Sequence, residues 1–149
     1  MLMLTFSLGE DQYAISARQV VEVISLVKLQ KLSQAPKYIA GLLNYRGNII
    51  PIIDLCELLT KNQHSQKFST RIIVVNYMSD QQMPYLLGLI AEKVTETLNI
   101  QETDLTHSRI PVDSPFYLGE IIKTEQGMIL CIQVESLLSE SQLKLLLPK

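Results

Sequence analysis

GLLNYRGNIIPIIDL, residues 41–55, places two apolar runs on either side of a short polar centre, Asn44-Tyr45-Arg46-Gly47-Asn48. Such a centre is a ligand loop, a catalytic loop, or the corner of a β-hairpin. Gly47 suits a corner, because glycine takes the positive φ that tight hairpin turns require. Arg46 is open between turn chemistry and a partner-facing role. Its planar fork makes paired hydrogen bonds, and its stem packs on apolar surface.

The surrounding chain narrows the choice. It has 149 residues, 47% hydrophobic and 19% charged, which is the composition of one globular domain. Net charge is −2, so no general field draws nucleic acid or an anionic membrane. The first residues, Met1-Leu2-Met3-Leu4-Thr5-Phe6, have no basic leader and read as a strand. No apolar run reaches the roughly 18 residues needed to span a bilayer. Cys56 and Cys131 lack CxxC spacing and sit among apolar residues, as buried free thiols in a reducing cytosol would.

Period-two patterning recurs along the chain. Leu4, Phe6 and Leu8 alternate with Thr5 and Ser7. A turn at Gly9-Glu10-Asp11 leads to a returning strand, Gln12-Tyr13-Ala14-Ile15. Ser16 and Gln19 have capping-box spacing for one helical turn. The β-branched Val20, Val21, Val23 and Ile24 then favour a strand. Residues 39–44 and 49–53 are the two runs of the opening stretch, and the second is apolar on both alternating faces, so both faces should be covered. Asp54 is placed to cap a short helix over 55–59. Further strands are expected at 71–77, 85–90 and 93–100, and a hairpin at 117–123 and 128–134. Polar loops are expected at 61–70 and 79–83, a long connection at 104–115, and a helical tail over 135–147. Nine or ten short strands in one compact chain suggest an all-β fold of two small packed barrels.

The chemical inventory is thin. His64 and His107 lie in polar loops without a second ligand at metal spacing, and neither cysteine carries a nucleophile signature. No Gly-rich phosphate cradle occurs. Asp54 and Glu57 share helical spacing and read as solvated surface carboxylates. Catalytic, cofactor-binding and metal sites are therefore all expected to be absent. A single-strand-binding barrel needs a basic groove with stacking aromatics. Here the tyrosines are scattered, and Lys28, Lys31 and Lys37 are the nearest thing to a basic cluster. A protein-binding module remains.

The opening stretch resembles the signature of the CheW family of bacterial chemosensory coupling proteins. The residues that carry the resemblance are Tyr13-Ala14-Ile15, Val20-Val21-Glu22-Val23-Ile24 and Pro36. They continue with Ile39-Ala40-Gly41-Leu42-Leu43-Asn44-Tyr45-Arg46-Gly47-Asn48 and Pro51-Ile52-Ile53-Asp54-Leu55. Weaker likeness extends through 71–75, 88–98 and 128–138, so it covers nearly the whole chain. The resemblance implies one CheW-like domain over 1–149, made of two five-stranded SH3-like β-barrel subdomains with a short C-terminal helix. It implies no enzyme activity, no cofactor and a cytoplasmic location; from the extent of the given sequence, no receiver domain is expected. The implied partners are the regulatory domain of the histidine kinase CheA and the cytoplasmic tip of chemoreceptors, the methyl-accepting chemotaxis proteins. Neither nucleic acid nor direct membrane insertion is implied.

Carried over residue by residue, the resemblance marks Val20, Glu22, Asn44, Arg46 and Gly47 as protein-binding positions. Val20 corresponds to an apolar residue near the receptor surface, and Glu22 and Arg46 to polar positions tied to coupling. A pair between Glu22 and Arg46 is the plain structural alternative. The chain departs from the pattern at Tyr45, where leucine is usual, at Cys56, where arginine is common, and in 106–115. The output served, whether swimming, pili or surface sensing, stays open. Two other readings stand beside the adaptor: a module that titrates the kinase without touching a receptor, and the nucleic-acid barrel.

Overall fold

The computed structural model describes residues 1–60, 70–78, 84–107, 117–125 and 127–137. Ten strands and one short α-helix occur among them. They are β1 (Leu2–Leu8), β2 (Asp11–Ser16), β3 (Val20–Ser25), β4 (Ile39–Tyr45), β5 (Asn48–Asp54), α1 (Leu55–Thr60), β6 (Thr70–Met78), β7 (Pro84–Asn99), β8 (Leu105–His107), β9 (Tyr117–Thr124) and β10 (Gly127–Ile132).

Hydrogen bonding divides the strands into two barrel-like groups that share β7. In the first, β3 pairs β6, β6 pairs the first half of β7, and β7 pairs β5 in parallel. β5 then pairs β4 through the opening hairpin. The chain beyond β3 closes the ring. Gln30 N–H donates to the Leu42 carbonyl at 3.0 Å, and Leu42 N–H donates back to the Gln30 carbonyl at 2.8 Å. In the second group the far half of β7 pairs β1, followed in order by β2, β10, β9 and β8.

Alternation explains why the central strands are apolar on both faces. Ile50, Ile52, Ile72, Val74 and Ile90 fill the first barrel with Tyr45. Their neighbours Ile53, Ile73, Val75, Leu87 and Leu89 point the other way, into a larger cluster with Phe6, Leu8, Tyr13 and Ile15. That cluster packs the two groups together. Met3, Ala14, Ile100, Ile122, Ile129 and Cys131 fill the second barrel. Residues 50–53 are all buried, as the two-faced apolar run requires. Each fully buried isoleucine here contributes about 1.5–3 kcal/mol.

The structure differs from the sequence expectation in several places. The strands expected at 85–90 and 93–100 are one 16-residue strand, Pro84–Asn99. Lys93, at φ 47°, bends it where the β1 pairing shifts register between Thr5 and Ser7. A strand bulge of this kind re-aims the chain without ending it, so β7 leaves one barrel and enters the other. Leu105–His107 forms a strand inside what reads as a long connection. The helical turn at residues 17–19 is present as a 3-10 turn, but Ser16 makes no capping bond. Asp54 does cap α1, accepting the Glu57 N–H at 3.2 Å, and it is 5% exposed rather than a solvated carboxylate. The capping bond is one contact that offsets that burial.

Of the expected 61–70 loop, 104–115 connection and 135–147 helical tail, residues 61–69, 108–115 and those beyond 137 lie outside the described residues, as does the 79–83 loop; Thr70 opens β6, and residues 134–136 form a 3-10 turn. Leu137, at the start of that tail, is buried in the cluster between the groups.

Both cysteines are free and buried. Burial, then the nearby Glu120 charge, pushes the Cys131 thiol up to about 11 from an ordinary 9.0. At pH 8 its thiolate fraction is then about 0.1%, against about 10% for an unshifted thiol, and the thiolate is the reactive form. Iodoacetamide at pH 8 should therefore label Cys131 at least tenfold more slowly in the folded chain than in urea, read by peptide mass mapping. Equal rates would contradict this account of its surroundings.

Candidate partner-binding site

The site is built at the rim of the first barrel, where the β4–β5 hairpin meets β3. The hairpin turn has two central residues, Arg46 and Gly47, with φ of 51° and 88°. Two positive φ values in a two-residue loop match the right-handed twist of the strands it joins. Asn44 steadies this turn by accepting the Gly47 N–H on its side-chain oxygen at 3.0 Å. Glycine bears its φ without cost. An arginine there costs on the order of 1 kcal/mol, because its Cβ crowds the backbone. The corner reading of Gly47 thus holds, and Arg46 occupies a position where asparagine or glycine would be more stable.

Arg46 reaches back to β3. Its Nη2 lies 2.9 Å from Glu22 Oε2, with the two side chains 71% and 36% exposed. Tyr45 joins them from inside. Its hydroxyl donates to the same Glu22 oxygen, and Arg46 lies over its ring at 5.3 Å from the centroid. The bond to Glu22 raises the Tyr45 phenol above its ordinary value, with burial adding to it. Tyr45 is 7% exposed and packs in the first barrel core. One anchored ring therefore touches both members of an exposed ion pair.

The expected site residues fall unequally. Glu22, Asn44, Arg46 and Gly47 come together at this corner. Val20 does not join their polar contacts. It is half-buried at the edge of the cluster between the groups, opposite Val75, just before a register shift in β3. The exposed apolar residues nearby are Val21, Val23 and Ile49, at 42%, 37% and 62%. Sequence reasoning misses them because β-branched residues in a strand look like core. The register of β3 on β6, which turns Val21 and Val23 outward, is set by pairing that only the fold displays.

No group of histidine, cysteine, aspartate and glutamate capable of holding a metal occurs among the described residues. His64 lies outside them, and of His107 only the backbone is described. Lys28, Lys31 and Lys37 do line one groove, but it also holds Asp54 and Glu57, and its floor is aliphatic rather than aromatic. That is not a stacking platform for single strands. No helix among the described residues is long and apolar enough to cross a membrane.

The fold and this corner define a double-barrel module that presents a charged hairpin tip. Comparison with known proteins places it further. The CheW-like domain model matches residues 2–142. The chain is 27% identical over 143 residues to a chemotaxis protein CheW of Bacillus subtilis, covering 93% of this chain and 86% of that protein. It is 29% identical over 100 residues to a chemotaxis protein CheW of Helicobacter pylori, covering 67% of this chain and 58% of the relative. The crystal structure of the scaffolding protein TtCheW from Thermoanaerobacter tengcongensis superposes with a TM-score of 0.81 at 30% identity, covering 95% of this chain and 89% of that one. The chain belongs to the CheW family. It is a non-enzymatic chemotaxis adaptor.

Proposed function

We propose that this chain, as a single CheW-like domain of two barrel subdomains, couples chemoreceptors to the kinase CheA in the cytoplasm. It binds the CheA regulatory domain and the cytoplasmic tip of the receptor helical hairpin. The observation that carries this reading is Arg46, an exposed arginine kept at an unfavourable φ on a hairpin tip of a CheW-family chain. An exposed ion pair is worth about 0–1 kcal/mol. Stability alone therefore does not account for keeping arginine there, whereas partner recognition does.

Glu22, Arg46 and the turn made by Asn44 and Gly47 form the polar part of the contact. Val20 supports it from the half-buried side, and Val21, Val23 and Ile49 add apolar area. An adaptor of this kind performs no phosphoryl chemistry. It acts by binding one kinase geometry better than another, which shifts the kinase population.

Titration calorimetry against the CheA regulatory domain and a receptor-tip fragment of the same genome tests the proposal. Saturable one-to-one binding to both supports coupling. Binding to the kinase alone supports a titrating module, and binding to neither removes the coupling role.

A further inference from the structure

Among the described residues, Glu22 uses only one of its carboxylate oxygens. Oε2 accepts from both the Tyr45 hydroxyl and Arg46 Nη2. Oε1 has no hydrogen-bond partner among the described residues, and the other N–H groups of Arg46 have none there either. An exposed pair of long side chains normally samples many rotamers, and ordering it at an interface costs free energy on binding. Here that freedom is already restricted. The Tyr45 ring is fixed among Ile50, Ile52 and Val74, its hydroxyl holds Glu22, and its face carries Arg46.

We infer that Tyr45 is the positioning residue of this corner, and that the pair it holds recognises a side-chain carboxamide, an Asn or Gln, on the partner. The chemistry follows from what is left unpaired. The corner presents a carboxylate oxygen next to guanidinium N–H groups. A carboxamide carries a donor NH2 and an acceptor oxygen on one carbon, so it satisfies both. A partner carboxylate would bond Arg46 but face the Oε1 charge. A partner ammonium would bond Oε1 but face the guanidinium. Ile49, exposed near the same turn, offers apolar area beside the polar contact.

This inference rests on the adaptor reading, and the test separates the two. The probes are the receptor-tip fragment and the CheA regulatory domain of the same genome, titrated with wild type, Tyr45→Phe and Tyr45→Leu. Tyr45→Phe keeps the ring in the core and beneath Arg46 but releases Glu22. Its melting temperature should stay within a few degrees of wild type, while affinity for one probe falls about 5–10-fold. Tyr45→Leu, which also removes the platform under Arg46, should weaken it further. In that probe, changing each surface Asn and Gln to Leu should reveal one position that costs wild type about tenfold. The same change should cost Tyr45→Phe clearly less, since the contact is already loosened. Unchanged affinity of Tyr45→Phe, in a chain whose Arg46→Glu variant does lose binding, would overturn the positioning role and leave the adaptor reading intact. A dependence on a partner carboxylate instead would overturn the carboxamide assignment. Failure of wild type to bind either probe would overturn both.

Discussion

Arg46→Glu should abolish coupling while leaving the protein folded. The side chain is 71% exposed, and its ion pair with Glu22 contributes about 0–1 kcal/mol, so the folded state loses little when it goes. A thermal shift of no more than a few degrees is expected. Binding is another matter. The substitution replaces a donor fork with a carboxylate beside Glu22, so two like charges now face the partner. Arginine hot spots typically cost about 2 kcal/mol or more when lost, close to a thirtyfold weaker complex. Calorimetry on wild type and variant reads the affinity, and a melt reads the fold. A variant that fails to fold would make Arg46 a structural residue. A folded variant with unchanged affinity for both partners would remove it from the interface.

Gly41→Ala should destabilise the fold more than a methyl group added at Gly9, Gly47, Gly88 or Gly127. Gly41 lies in β4 at φ 151°, a backbone conformation that side-chain-bearing residues rarely adopt. A Cβ built there would sit 2.5 Å from the Gln30 carbonyl oxygen and 3.0 Å from Leu29 Cβ. The same carbonyl accepts the Leu42 N–H that closes the first barrel. The methyl group therefore pushes on rigid backbone at the seam of the ring. Backbone strain and overpacking each cost about 1–3 kcal/mol, so a total of about 2–6 kcal/mol is expected. For a chain of this size that lowers the melting temperature by roughly 10 °C.

Gly88 gives the contrast. A Cβ there meets Ile52 Cδ1 at 2.3 Å, but that atom is the end of a flexible side chain. Gly88→Ala should therefore cost clearly less than Gly41→Ala, though the contact is shorter. A melt in which Gly41→Ala stays within about 2 °C of wild type, or in which Gly88→Ala is the worse of the two, would contradict this account of ring closure.

How much of the molecule is legible in the sequence varies with the physics at each place. β5 is readable because both of its faces are apolar, which admits one explanation, cover on both sides. The β4–β5 hairpin is readable because Arg46-Gly47 sits between two strand-like runs. The continuity of β7 is not, because the pattern pauses at Ala91-Glu92 between the two expected runs, and a bulge and a loop look alike without the partner strand. Asp54 reads as a capping residue, but its burial goes with the pairing of β5 on β7, where it lies opposite Ile90, which spacing does not reveal.

At the corner, the residues leave a Glu22–Arg46 pair open as a structural alternative, and it does form. Under the proposed adaptor role the same pair also serves the partner surface. Tyr45 stands out in the sequence as a departure from the family pattern, but its hydroxyl bond to Glu22 depends on bringing β4 beside β3 across 23 residues of chain. Closure of the barrel at Gln30 and Leu42 does that, and no local signal encodes it.

Under the proposed role this chain physically joins kinase to receptor. The most direct test is co-sedimentation of the CheA of the same genome with membranes containing one of its chemoreceptors, with and without this protein. The account predicts that CheA pellets with the membranes when wild-type protein is added, stays largely in the supernatant without it, and is not recruited by Arg46→Glu. CheA that sediments equally in all three cases, or in none, would contradict it.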